Sequence, residues 1–491
     1  MEQSSAFVEA IKFTNALVWG SDTISYPPAL ILLLFTGVYL TVRLGFMPIR
    51  RLPYAFVQLV HGRRRHSGED GDVSPFAALM TALSSTIGTG NIAGVAVAIA
   101  IGGPGAVFWM WMTALVGMAS KFAEGVLAVK FREVDNAGRH VGGPMYYIKN
   151  GLGRGWTWLG VLFAAFGVLA AWGTGASIQA NSIADALRST YHIAPWVSGL
   201  VLAGGAAAVI LGGIQRIAHV ASGLVPAMAL SYLIAGFVVL GINAAAIPAA
   251  FASIFAGAFG FSAAKGGFIG GLILLAMQKG VARGIFSNEA GQGSAPIAHA
   301  AAKNKDPVNQ GIVAMLGTFI DTIVVCSITA LVILTANIIP DSCAPFVRES
   351  LTLLPAGCET GAPLTVTAFN QALPGIGQHV VALGLAVFGF TTILGWSYYG
   401  ERCAEFLFGE KIITPYRISW IIVVFLGAVV LMAEKLSSVT DVVNLFWLVA
   451  DTLTGLMAAP NLIALLLLSP LVARMTTAYF KAEKASAAAA E

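Results

Sequence analysis

Eleven apolar stretches of membrane length follow one another along this chain, near residues 27–47, 74–102, 104–130, 155–186, 196–214, 218–243, 266–296, 310–337, 377–405, 415–433 and 439–470. In hydrocarbon every backbone polar group must find a partner within the protein, so only helices and closed barrels cross a bilayer. Stretches of about 20 residues suit helices, because a spanning strand needs only about 10. The expected fold class is therefore an all-α polytopic membrane protein with 11 transmembrane helices. Only 11 % of the residues are charged and 57 % are hydrophobic, too little charge to cover a soluble surface of this size. The net charge is +4, with the arginines in loops rather than on one face, which speaks against a nucleic-acid partner. The start, MEQSSAFVEAIKF, has no basic region before its apolar residues and so is not expected to be a cleaved signal. Residues 5–19 and 247–262 are too short to span and are expected to lie on the membrane surface.

Loop charge orients these spans. With the N-terminus outside, nineteen Lys and Arg residues fall in inside segments, among them Arg50, Arg51, Arg132, Arg139 and Arg417. Five fall outside: Lys12, Arg188, Lys265, Arg348 and Lys435. Cytoplasmic loops carry such an excess, so the N-terminus is expected outside and the C-terminus in the cytoplasm.

Two spans carry glycine-rich interruptions. In 74–102 a Gly-Thr-Gly-Asn sequence sits mid-membrane at Gly88, Thr89, Gly90 and Asn91, all of low helix propensity. A break at that depth is tolerated only where it is buried in protein or lines a cavity. The span 266–296 reads GGFIGGLILLAMQKGVARGIFSNEAGQGS, with a break expected at Met277–Gly280. Setting the first span aside leaves two groups of five, each opened by an interrupted span, and an odd number makes the openers cross in opposite directions. This is the inverted-repeat arrangement of secondary transporters. The expected units are 1–73 (surface helix, extra N-terminal span and basic loop), 74–245 and 246–470 (the two five-helix repeats), and a cytoplasmic tail, 471–491. The outside loop 338–376 belongs to the second repeat, and its prolines suggest an ordered, non-helical lid. The Ala-rich end, 481–491, is expected to fray.

The runs GTGNIAGVAVAIAIGGPGAVFWMW (88–111), VGGPMYYI (141–148), GVARGIFSNEAGQGSAPIAHAAAK (280–303) and FTTILGWSYYGERCAEFLFG (390–409) resemble the alanine/glycine:cation symporter family. The resemblance extends over essentially the whole chain. It implies cation-driven uptake of small neutral amino acids, alanine and glycine, on a five-plus-five fold of the leucine-transporter type. It also implies a multi-pass protein of a prokaryotic plasma (inner) membrane.

A zwitterion needs both its charges satisfied away from bulk water, and unwound backbone can do both. The amides of Thr89, Gly90 and Asn91 are candidates for the carboxylate, with Gly88 allowing close approach. Carbonyls at Met277, Gln278 and Gly280 are candidates for the ammonium, with Met277 as a pocket wall. Gln179 is placed either on the substrate or in an interhelical bond, and Trp396 either in the pocket or in packing. For the ion, the resemblance suggests Na+ held by Thr391, Thr392 and the Phe388 carbonyl, with the carbonyls of Ser84 and Ile87 opposite. Adjacent threonines also bond back to the preceding turn without any ion. No carboxylate stands at this point, which favours sodium over a proton, and no organic cofactor is expected.

Ionisable residues at depth are functional candidates. Lys121 and Glu124 are spaced to neutralise each other, and Arg283 and Glu289 to form gate ion pairs. Asp321 is expected either to titrate or to pair with a cation such as Lys279. Cys343 and Cys358 share the outside loop, where a disulfide is plausible. All seven histidines fall at loops or span ends, which argues against an intramembrane enzyme, and no repeated polar rings suggest a channel. Symport and exchange use the same kind of site and are not separated at this level.

Overall fold

A computed structural model describes residues 6–20, 24, 27–62, 70–260, 269–339, 359–433 and 437–488. Helix α1 (Ala6–Trp19) precedes α2 (Pro28–Arg43) and the short helices α3 (Met47–Arg50) and α4 (Leu52–Gly62). Then come α5 (Pro75–Thr86), a π-helical turn at Gly90–Gly94 continuing as α6 (Val95–Gly102), and α7 (Gly105–Lys130). A small antiparallel hairpin, β1 (Glu133–Val134) and β2 (His140–Val141), leads to α8 (Pro144–Tyr147). Helices α9 (Thr157–Ala170) and α10 (Ile178–Tyr191) are joined through a π stretch, Ala171–Ser177. After α11 (Pro195–Ile210), α12 (Gly213–Ile242) and α13 (Ile247–Phe259) come α14 (Ile269–Asn288) and α15 (Ala295–Ala300). Helices α16 (Pro307–Thr318) and α17 (Ser327–Ala336) flank a third π stretch, Phe319–Cys326. The chain closes with α18 (Gly361–Ala372), α19 (Gly377–Phe408), α20 (Ile413–Val429), α21 (Ser437–Leu456) and α22 (Ala458–Ala488).

Among the described residues seven helices are long and apolar enough to cross a membrane, or eight with α5 and α6 counted as one bent span. Pro28–Arg43, Pro195–Ile210 and Ala244–Phe259 are apolar but shorter. Several outward faces are apolar at helical spacing: Ile418, Ile422 and Leu426 are each about half exposed. Helix α19 joins the two buried cores, giving Leu385 and Phe388 to one and Ile393, Leu394 and Trp396 to the other.

The first break lies at Ile87–Thr89, overlapping the expected Gly88–Asn91 but starting one residue earlier, with Gly90 and Asn91 already in the helical continuation. Ser74 caps α5, its hydroxyl accepting from the Ala77 amide at 3.1 Å, and Pro75 occupies a first-turn position where no N–H is needed. The helix stops at Thr86, and the continuation from Gly90 is bent by 55°. The gap is closed locally, because the Asn91 side chain accepts from the Gly88 amide at 2.8 Å.

Three expectations need correction. The second interruption is not at Met277–Gly280, which lies inside the continuous α14, but at Glu289–Ser294, between α14 and α15. A Cβ on Gly280 would come within 2.2 Å of the Ala106 carbonyl oxygen, and one on Gly284 within 2.2 Å of the Thr113 hydroxyl. These glycines let α14 lie close against α7; they do not break it. The break itself uses Glu289, Gly291 and Gly293 in left-handed conformation, at φ 54°, 83° and 87°. The loop 338–376 is not wholly non-helical: α18 has Pro363 in its first turn, where proline is tolerated, and Pro374 just past its end. The tail does not fray at 481, since α22 runs on to Ala488 and carries the chain past the expected boundary at 470. Cys343 and Cys358 lie outside the described residues.

Candidate functional site

The two breaks meet. Asn91, fully buried, donates its amide to the Asp321 carboxylate at 2.6 Å and to the Ser287 hydroxyl, on the last turn of α14, at 3.1 Å. Ser287 and Thr322 each donate to the other Asp321 oxygen at 2.8 Å. Asp321 thus fastens the first break to the end of α14, and Asn91 is occupied as a tie. Lys279, an expected partner of Asp321, instead lines a second cavity together with Arg283 and Asp451.

The second break is gripped from three helices. From α7, the Lys121 ammonium donates to the Glu289 carbonyl at 3.4 Å, and Glu124 accepts from the Gly293 amide at 3.1 Å. Asn461 on α22 donates to the Gly291 carbonyl at 2.8 Å and to Glu124 at 2.7 Å, and is itself held by the Tyr147 hydroxyl. The Trp396 indole donates to the Glu289 carboxylate at 3.0 Å, and the Ser294 hydroxyl takes its other oxygen. Lys121 and Glu124 therefore serve the break, and Glu289 is held by Trp396 and Ser294 while Arg283 lies over the Phe286 ring at 5.2 Å.

Between the breaks is a cavity of about 20 Å³, little more than the space one water needs. Of the expected substrate residues, Gly88, Gly90, Gln179 and Trp396 line it. Thr89 is one bond away, its hydroxyl donating to Gln179 at 3.1 Å. Met277, Gln278 and Gly280 are not among its lining residues; the Gln278 amide lies against Gly20, where a Cβ would meet it. Phe286, Ser287 and Gln292 also line the cavity and are not expected there from the sequence, because the break expected at Met277–Gly280 lies about a dozen residues too early; Glu289, expected in a gate ion pair, lines it as well. The run Asn288-Glu-Ala-Gly-Gln-Gly-Ser294 was the available signal.

The expected ion ligands are partly gathered. The Thr391 and Thr392 hydroxyls both donate to the Phe388 carbonyl, at 2.8 and 3.0 Å. Thr392 also reaches the Ile87 carbonyl at 3.5 Å, across the gap between α19 and the first break. Thr391 faces the other way, its hydroxyl 3.5 Å from the Met228 sulfur on α12. The Ser84 hydroxyl bonds back to Thr81, while Gly395 admits Ser84 and Ser85 against α19: a Cβ there would lie 2.8 Å and 2.0 Å from their hydroxyls. Carbonyls at the end of α5 have no further turn to receive them, so they are available as hard oxygen donors. Phe286 separates this cavity from the second, larger one, of about 260 Å³, to which Trp19 of α1 also contributes.

Solved structures share this architecture. The crystal structure of MhsT in complex with L-phenylalanine superposes with a TM-score of 0.53 at 12 % identity, over 84 % of this chain and 99 % of that one. A Na+-coupled sialic acid symporter superposes with a TM-score of 0.52 at 14 % identity, over 94 % and 98 %. The fold is that of leucine-transporter-type proteins, in keeping with the expectation from sequence. Among curated sequences, the sodium/alanine symporter AgcS of Methanococcus maripaludis is 49 % identical over 97 % of this chain and 98 % of its own. A probable sodium/glutamine symporter of Bacillus subtilis, GlnT, is 35 % identical over 97 % and 91 %. The model of the sodium:alanine symporter family matches residues 5–491. The chain therefore belongs to the sodium:alanine symporter family, as a multi-pass membrane transporter and not an enzyme.

Proposed function

We propose that this protein is a sodium-coupled symporter that carries small neutral amino acids, alanine and glycine, into the cell by alternating access. The observation that carries the reading is the convergence of two interrupted helices on one small cavity, with the Thr392 hydroxyl bridging from α19 to the Ile87 carbonyl beside it. The substrate carboxylate meets the amides of Thr89 and Gly90 at the start of the outer half-helix, where the helix dipole is positive. The ammonium meets the last carbonyls of α14 and the Glu289 carboxylate, which replace the 277–280 carbonyls as its partners. Gln179 and Trp396 shape the walls. Sodium takes Thr392 and the carbonyls of Phe388, Ile87 and Ser84, while Thr391, turned toward Met228 on α12, is left out of the expected set. In this reading the eleven-span count includes the short α2 and α11 as well as α14, the repeats are 74–245 and 246–470, the apolar outer faces meet lipid, and the N-terminus is outside.

Proton coupling is the second reading. What favours it is Asp321, a fully buried carboxylate that, among the described residues, accepts from the neutral groups of Asn91, Ser287 and Thr322. Purified protein in proteoliposomes separates the readings. An inward sodium gradient at equal pH drives alanine accumulation if the first is right. Accumulation driven by a pH gradient without sodium supports the second, and counterflow indifferent to both gradients means an exchanger.

A further inference from the structure

Arg132, two residues beyond the end of α7, donates to four backbone carbonyls: Asp70 at 2.9 Å, Ala300 at 3.0 Å, Ala302 at 2.7 Å and Asn304 at 3.4 Å. Asp70 lies just before α5, the first half of the first interrupted span, and Ala300 is the last residue of α15, the final half of the second. The same two segments pair directly. The Asp72 and Val73 amides donate to the Ala301 carbonyl at 2.8 and 3.1 Å, and the Lys303 amide returns a bond to Val73 at 2.6 Å. His140 on β2 holds Asp72 from behind, its amide 2.9 Å from one carboxylate oxygen and its ring 3.0 Å from the other. A Cβ on Gly71 would lie 2.5 Å from the backbone of Ala302 and Lys303, so only glycine lets the segments close this far.

A guanidinium presents five N–H donors in a rigid plane and can serve several carbonyls at once; an ammonium is a compact point charge on a flexible stem. The half-helices that must move for the site to open on this side are thus fastened to each other, and both to the end of α7. We propose that Arg132 is a positioning residue that makes α5 and α15 move as one body, so that the ion site at the end of α5 and the amino-acid site between the breaks open together. The proposal rests on the transport reading above. Its consequence is coupling: without Arg132 only the three backbone bonds between Asp72–Val73 and Ala301–Lys303 join the half-helices among the described residues, neither is tied to the end of α7, and sodium escapes while the amino acid stays bound.

Three measurements in proteoliposomes test it. In Arg132→Gln, sodium-dependent alanine binding persists, uptake falls by about ten- to a hundredfold, and sodium flux appears without alanine. Arg132→Lys behaves like Arg132→Gln; a lysine that restores the wild-type ratio of sodium to alanine overturns the proposal, and so does loss of uptake with that ratio unchanged. Where Arg132 variants do not fold, Val73→Cys with Ala302→Cys decides in the otherwise native chain. A disulfide joining these bridge partners leaves transport intact if the half-helices travel together, and transport arrested on oxidation and restored on reduction overturns the proposal. Wild-type vesicles without sodium-dependent uptake would count against the transport reading itself.

Discussion

Gly88→Ala puts the site under the sharpest test, because one methyl group added there has a defined neighbour. A Cβ on Gly88 would lie 2.6 Å from the Thr392 hydroxyl oxygen and 3.7 Å from the Gln179 side-chain oxygen. The first distance is far inside an ordinary contact, so Thr392 must turn or α19 must shift. Neither is easy: Thr392 is 3 % exposed, Ile87 is fully buried, and the hydroxyl already holds the Phe388 carbonyl at 3.0 Å. Overpacking of this kind costs about 1–3 kcal/mol. If that cost falls on the ion-bound geometry, sodium affinity drops by about 5- to 150-fold. The assay is alanine uptake into proteoliposomes as a function of sodium concentration, with the half-saturating concentration as the readout. Removing the obstructing hydroxyl in Gly88→Ala with Thr392→Ala relieves the clash, so the two substitutions are non-additive. Gly90→Ala is the control, since its Cβ meets only Phe286, at 4.0 Å, and sodium dependence should stay near wild type. Sodium dependence unchanged in Gly88→Ala would refute the placement of the ion between Thr392 and the first break.

Asn91→Ala removes one donor from Asp321 and the acceptor of the Gly88 amide, leaving two buried groups unsatisfied at roughly 2–6 kcal/mol together; a clearly lower melting temperature in detergent is expected, and an unchanged one would mean Asn91 is no tie between the breaks. Glu289→Gln keeps the shape beside Trp396 but removes the charge offered to the substrate ammonium, so alanine affinity should fall by about 10- to 150-fold by direct binding, the range of a charged hydrogen bond. In the β1–β2 hairpin, burial pushes the Asp135 carboxyl up, but the hydrogen bonds and charge of Arg139 outweigh it and hold it below its usual value. A lowered carboxyl stabilises the fold above its unfolded pKa, about 4, and the benefit is lost as pH falls through the lowered value. Hydrogen exchange in 133–141, corrected for intrinsic rates, should therefore keep its protection from neutral pH to about pH 4 and lose it only below; loss between pH 7 and 5 would contradict the pairing.

The first break was legible because its chemistry is local. Gly88 and Gly90 weaken the helix, and the Asn91 side chain that closes the gap bonds an amide three residues away. The second break was misplaced because a glycine that breaks a helix and a glycine that lets two helices touch look alike in one sequence. Gly280 and Gly284 are of the second kind, which only the position of α7 reveals. At the actual break the left-handed Glu289 is held by Lys121, Trp396 and Ser294, and the adjoining glycines by Glu124 and Asn461, partners mostly more than a hundred residues distant. Thr391 and Thr392 show the same limit. Their adjacency was plain, but which of them faces α5 and which faces Met228 depends on how α19 is rotated in its packing.

The π stretch Phe319–Cys326 makes the helix 307–336 sensitive to length in an unusual way. A membrane span ordinarily absorbs a residue more or less by tilting. Here the stretch already takes up one residue by under-winding, so a one-residue deletion within 319–326 would restore regular hydrogen bonding and keep the faces beyond it in place, whereas a deletion in the regular helix 307–318 would swing everything beyond it round by about 100°. Ser327 would leave the Trp111 indole that now donates to it at 2.7 Å, and Thr329 would leave the Tyr232 hydroxyl at 2.8 Å. The segment acts as a phase adjuster ahead of the packing of α17, so this span is expected to accept the loss of one residue inside 319–326 more readily than anywhere in 307–318.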